Sequence, residues 1–380
     1  MDLSKLSESE RRKYSNDLLK KYINNNNPHC CMFQDCKNLS IKSHAVSKQY
    51  YLKRIAEDNQ IGLFKAKQVE SGRDLFWDKI GINVASVFKG FCKLHDDLFN
   101  EIDKKGITSQ RSLLLQCYRT VCSWLYSIEL TSALFGEDQD NKDETRRILT
   151  AKMGLKTDYC EQSKQLKKRN DVFLLYIIKK KFEAALKNIK DESLQKYTSF
   201  DGIEIMCCKA PDVIPVVLNS MVSLEIGNVF HIVLPNENTT DLIFINSTNG
   251  QLRFVEAWFA RTQNMLNIIG LIESWMIANE LWFIRPSVFE KLPEDRRSII
   301  KADIRYATCE RKLWEPYDVS IFDDLRNKYL NKYATILDDD RINYENAKFG
   351  TPPRKVEYIR EQRLQSKMRK ACQENEYRRT

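Results

Sequence analysis

The strongest constraint on what this chain can fold into is a pair of cysteine-bearing half-sites, Cys31-Met32-Phe33-Gln34-Asp35-Cys36 and, much further along, Gly90-Phe91-Cys92-Lys93-Leu94-His95. Thiolates and an imidazole at such short spacings turn inward together around one tetrahedral ion, so Cys31, Cys36, Cys92 and His95 predict a structural Zn2+ site. A knuckle with four residues between its thiols is looser than one with two, which leaves the adjacent Cys30 as an alternative to Cys31. Without a metal, the same residues read as core cysteines and a surface histidine.

The cysteine count, eleven in 380 residues, means thiols and metal ligation rather than a disulfide framework. The first 21 residues are polar and charged, with none of the apolar core of a secretory leader, and a cytoplasmic protein is expected. Cys117, Cys122, Cys160, Cys309 and Cys372 stand singly and read as small buried hydrophobes. No apolar run approaches the ~20 residues that cross a bilayer, so no membrane partner is expected. Hydrophobic residues at 42% and charged residues at 30% are those of a globular chain, and its length exceeds what one core organises.

Periodicity divides the chain into five stretches. Residues 1–27 predict an N-terminal helix that ends in an asparagine run before Pro28. Residues 28–106 hold the two half-sites in a small metal-held module, and residues 107–200 form a basic helical connector. Helical spacing there covers 109–135 and 171–190, the second with Phe173, Leu174, Ile177, Ile178, Phe182, Ala185 and Leu186 as its apolar stripe and lysines opposite. Residues 201–300 alternate as strands at 203–207, 216–226, 229–234, 242–245 and 252–255, with turn chemistry at 235–238 and 247–250, then become helical over 259–282. They predict a small antiparallel sheet packed with helices. Residues 301–380 predict a basic tail, helical or disordered. The fold class is α+β.

His44 lies between the half-sites, and Asp96 directly follows the last ligand at a helix start, where its carboxylate can face His44. Ser43-His44 after the knuckle, then Cys92 and His95 opening a helix, resemble the HNH or His-Me finger nucleases, whose ββα core is often built on a zinc treble clef. The resemblance covers about 75 residues, roughly His29 to Asp103. It implies a treble-clef module with His44 as general base and Asp96 where the family places a metal-binding histidine, with Mg2+ or Mn2+ as the catalytic ion. The chain departs from the family pattern at Ser43, which stands where an acidic ligand is usual, and in the long gap from His44 to Cys92. Asn83 is a candidate middle asparagine. Lys42, Lys48 and Lys93 are candidates to offset phosphate charge.

Net charge is +9, with 13 Lys/Arg against four acids in residues 146–190 and 11 against five in 341–380. Such excesses suit summed phosphate contacts, with DNA as the first partner and RNA as the second. P-loop, dinucleotide-binding, hydrolase-elbow and HExxH patterns are absent. Trp258, Trp275, Trp282 and Phe283 read as core rather than a base-stacking platform, and Asp338 to Asp340 as a solvated run. The expected function is a metal-dependent endonuclease acting on nucleic acid, in defence against foreign DNA. The alternative is a non-catalytic zinc-stabilised module binding nucleic acid or protein, with a protein partner expected through residues 201–300.

Overall fold

A computed structural model describes residues 29–69, 72–134, 159–189, 192–224, 227–247, 265–278, 281–306, 317 and 319–332. The expected N-terminal helix, the strand at 252–255, Trp258, Cys309, Cys372, Asp338 to Asp340 and the basic stretch 341–380 lie outside them. The chain forms two compact units, which draw on Met1–Ser47, Ala66–Asp74 and Ala85–Leu194 for the first and on Lys48–Lys65, Leu75–Val84 and Gln195–Thr380 for the second. These units interleave along the sequence, whereas composition divides it into contiguous stretches at 28–106, 107–200 and 201–300. Mixed α+β architecture, with an antiparallel sheet packed against helices, is observed.

In the first unit, β1 (Ser43–His44) pairs antiparallel with β4 (Val87–Phe88). The chain then enters the short helix α1 (Lys93–Asp96), a 3-10 turn at Asp97–Phe99 and α2 (Asn100–Lys105). Gly106 ends α2 at φ 74°, a left-handed conformation that costs glycine nothing. Helix α3 (Gln110–Leu134) begins with a reciprocal cap, Ser112 N–H donating to Ser109 Oγ (3.3 Å) and Ser109 N–H to Ser112 Oγ (2.9 Å). It packs along α4 (Tyr159–Asn188).

The expected apolar stripe of α4 holds at Ile178, Phe182 and Leu186 and shifts at its start. Leu175, Ile178, Phe182 and Leu186 are buried, while Phe173 is 64% exposed and Leu174 is exposed too. Lys179, expected on the solvated face, is buried and ion-paired with Glu183 (2.7 Å). Residues 173–178 are apolar in an unbroken run, so two stripes are available, and contact with α3 selects the one through Leu175.

An eight-stranded sheet, all but the Ala66–Asp74 ends of its β2 and β3 strands in the second unit, runs in the order β3-β2-β10-β7-β8-β9-β6-β5. Its strands are β2 (Gln60–Val69), β3 (Gly72–Gly81), β5 (Tyr197–Phe200), β6 (Ile203–Ala210), β7 (Val216–Leu224), β8 (Gly227–Pro235), β9 (Thr240–Asn246) and β10 (Trp282–Ile284). The sheet is therefore not small. Residues between His44 and Cys92 supply two of its strands, which accounts for the long gap between the half-sites. Asp201 (φ 45°) and Gly202 (φ 74°) make the two-residue turn between β5 and β6, and Asn236 N–H donates to Thr239 O in the turn after β8.

Helix α5 (Met265–Ala278) covers one face of the sheet, with Ile269, Ile272, Trp275 and Met276 among Leu218, Val222, Val233 and Leu242. Trp282 starts a strand rather than ending the helix, and its indole N–H donates to Met276 O (2.8 Å) in the core. Helices α6 (Pro286–Glu290), α7 (Glu294–Tyr306) and α8 (Asp323–Lys332) follow. The buried Glu273 carboxylate accepts from the backbone N–H groups of Ile321 (2.7 Å) and Phe322 (3.0 Å) and pairs with Arg326. Gly62 is required by Trp77, whose ring would lie 2.2 Å from an added Cβ. Among the described residues, no helix is long and apolar enough to cross a membrane.

Candidate metal centre

The knuckle is built by the backbone. Cys31 N–H donates to Asn38 O (2.8 Å), Cys36 N–H to Phe33 O (3.1 Å), and Asp35 takes the left-handed conformation (φ 61°) that lets the chain reverse. Met32 N–H donates to Gly90 O (2.7 Å) and Ile41 N–H to Phe91 O (2.7 Å), which seats the knuckle beside the second half-site. Gly90 is needed there, because the Phe88 ring would lie 2.2 Å from any Cβ.

These constraints draw Cys31, Cys36, Cys92 and His95 together, with all four ligand atoms within 4.8 Å of one another. Cys31 Sγ lies 3.3 Å and Cys92 Sγ 3.4 Å from His95 Nδ1, and Cys36 Sγ lies 3.9 Å from Cys92 Sγ. A tetrahedral ion with Zn–S of about 2.3 Å and Zn–N of about 2.0 Å needs separations of about 3.8 Å between sulfurs and about 3.6 Å from sulfur to nitrogen. The donor set and its spacing fit a metal ion such as zinc. Among the described residues, no other group of three or more Cys, His, Asp or Glu side chains converges in this way. Cys30 is exposed and outside the group, so the first ligand position falls to Cys31.

Electrostatics in the cluster are uneven. Burial pushes the Cys31 thiol up to about 12. Burial also works against the Cys92 thiolate, but the His95 backbone N–H, the thiols of Cys31 and Cys36 and the Asn38 amide together hold Cys92 below the ordinary thiol value. Burial lowers His95, against the opposing charge of Glu183. A neutral imidazole and an ionised thiol are the forms that bind metal. The His95 ring stacks on Phe33, with centroids 4.0 Å apart.

Ser43 and His44 sit on β1 beside this cluster's helix. His44 Nδ1–H donates to Ala85 O (2.9 Å), which assigns the basic lone pair of the neutral ring to Nε2. Asp96 is half-buried in α1. Burial raises its pKa, the Ser43 hydroxyl and the Arg119 charge work to lower it, and Asp103 raises it further. The Ser43 hydroxyl is buried and faces Asp96 without a hydrogen bond of full geometry.

The candidate lysines are dispersed. Lys93 Nζ pairs with Asp97 (2.7 Å), Lys42 is exposed, and Lys48 belongs to the second unit, where its Nζ donates to Asn83 Oδ1 (3.2 Å). Sequence reasoning missed the polar side chains of α3 that reach this region. Gln116 donates to Ala45 O (3.1 Å), and Arg119 pairs with Asp103 (2.9 Å). Their signal was present as Ser112, Gln116, Arg119, Thr120 and Ser123, a polar stripe at helical spacing inside an apolar helix. All five are buried.

Comparison with family models, with curated proteins and with solved structures finds no match.

Proposed function

We propose that the first unit carries a zinc-stapled treble clef of the HNH or His-Me finger kind, and that the protein hydrolyses phosphodiester bonds in DNA. The observation behind this reading is the arrangement of β1, β4 and α1. His44 leaves a strand whose partner leads through Cys92 into the helix bearing His95 and Asp96, and Ser43 faces the Asp96 carboxylate. His44, with Nδ1–H on Ala85 O, carries its basic lone pair on Nε2, the atom that would take a proton from water. A divalent ion such as Mg2+ held by Asp96 would neutralise charge on the scissile phosphate and the leaving oxygen. The basic excess of residues 146–190 and 341–380 supplies phosphate affinity, less Lys179, whose charge is spent on Glu183.

One observation favours a second reading, a non-catalytic module that binds nucleic acid. Among the described residues only the Cys3His group converges as a metal site, and Asp103, the carboxylate beside Asp96, is paired with Arg119.

Cleavage of DNA and RNA with Mg2+ or Mn2+ separates the two. His44→Ala is expected to abolish cleavage with zinc content unchanged, and raised Mn2+ to rescue Asp96→Ala in part but not His44→Ala. Wild-type protein inert towards both nucleic acids with every divalent ion leaves the binding module. Loss of zinc in His44→Ala would make His44 a structural ligand.

A further inference from the structure

Helix α3 presents two buried polar side chains, one to the residue after His44 and one to α2, which follows the helix that carries Asp96. Gln116 Nε2 donates to Ala45 O (3.1 Å), the carbonyl directly after His44, and to Thr120 Oγ1 (3.3 Å). Gln116 Oε1 accepts from Arg119 Nη2 (2.7 Å), and Arg119 Nη1 donates to Asp103 Oδ1 (2.9 Å). The Arg119 guanidinium lies over the Phe99 ring, 4.9 Å from its centroid, and its side chain is only 2% exposed. Ser47 Oγ donates to Asp103 O (3.3 Å), so the end of the His44 segment is tied to α2 a second time.

A buried guanidinium is costly to desolvate and is kept only where its partners are well placed. What the chain from Ala45 through Gln116 and Arg119 to Asp103 provides is a fixed offset between β1 and the segment after α1. Strand β1 is two residues long and has β4 as its sheet partner. Past that ladder Ala45 N–H donates to Ser86 O (2.8 Å), and Gln116 on α3 holds the carbonyl of the same residue.

We propose that Gln116 and Arg119 are positioning residues, which fix the His44 ring against Ala85 O and set its distance from Asp96 by clamping the end of β1 to α2. The functional meaning of this clamp rests on the nuclease reading above; the clamp itself does not. Gln116 has the directional role, as it must donate to Ala45 O and accept from Arg119 at once. Arg119 orients that amide and keeps Asp103 occupied, leaving Asp96 as the carboxylate that faces Ser43. A displacement of about 1 Å in such a pair lowers turnover about 100-fold with little change in substrate binding.

The test is made on the full zinc-loaded chain. Gln116→Glu keeps the volume and the contact to Arg119 but removes the donor to Ala45 O. Gln116→Met, apolar and of similar size, is read in parallel in case the buried carboxylate prevents folding, and Arg119→Lys is the conservative variant. Zinc content and thermal melting report the scaffold. The 15N spectrum of the His44 imidazole, assigned by its loss in His44→Gln, reports the ring directly. Wild type is expected to show one neutral tautomer with the proton on Nδ1, and the Gln116 variants a mixture, with kcat about 100-fold lower and KM near wild type. Arg119→Lys is expected to fall between them. Gln116 variants that hold zinc and keep the wild-type ring spectrum would overturn the proposal. If wild type shows the single tautomer and the variants lose it, but nothing cleaves nucleic acid, the clamp stands and the nuclease reading falls alone.

Discussion

Cys30 and Cys31 are adjacent thiols of equal intrinsic chemistry, yet the backbone turn sends one inward and leaves the other in solvent. Cys31→Ser should therefore lose the metal and unfold the module, whereas Cys30→Ser should keep one metal ion per chain by elemental analysis. Structural zinc binding is worth roughly 10 kcal/mol or more and is folding energy, so the loss is not a local one. Equal metal content in the two variants would mean that the ligand atoms exchange roles. Spacing alone left this choice open, because both thiols lie within reach of a loose knuckle. Asp35 in its left-handed conformation and the Cys31 N–H to Asn38 O bond decide it.

At the scale of elements, helix α5 on the sheet buries a histidine that no polar group among the described residues satisfies. His231 on β8 stacks on Trp275 with centroids 4.6 Å apart, meets Phe244 edge-on, and has no hydrogen-bond partner at either ring nitrogen. Burial lowers its pKa to about 3. The unfolded chain takes up this proton below about 6.5 while the folded chain does not, so acid favours unfolding by about 1.4 kcal/mol per pH unit between those limits. Asp241 and Glu273, raised by burial, act in the opposite sense, so the comparison is between chains that differ only at residue 231. Urea unfolding at pH 7 and pH 5.5 should show His231→Phe losing less stability on acidification than wild type; parallel losses would refute it. The strands around this residue were legible as strand-like segments between turn residues, and the helix above them as a 3.6-residue period. The start of the α4 stripe was not, since Phe173 and Leu174 are as apolar as Leu175 and only contact with α3 separates them.

Across the whole molecule, the interleaving of the two units predicts a divided response to metal loss. Glu183 on α4 accepts from the knuckle through Gln34 N–H (3.0 Å) and from Tyr118 on α3 (2.7 Å), so the metal cluster and the helix pair share one core. Chelation should raise hydrogen exchange throughout α3 and α4 and leave β7, β8 and β9 protected. Exchange rising equally in the sheet would show a single cooperative unit, and no change in the helices would show that they stand without the metal. The residues between His44 and Cys92 read as part of a small cysteine-held fold because they are short, glycine-punctuated pieces lying between its ligands. Their role as β2 and β3 depends on pairing with β10, more than 200 residues away in sequence, and no local pattern encodes a partner that distant. What the sequence determined by itself was the chemistry that needs only residue types and short spacing: a Cys3His ligand set, helical and alternating periods, and a mixed α+β class. The tertiary structure alone decided which thiol turns inward, which helical face is buried, which strands join one sheet, and that Gln116 reaches the residue after His44 while Arg119 reaches Asp103. Each of those depends on contacts between residues far apart in the chain, whose free energy exists only once the chain has closed on itself.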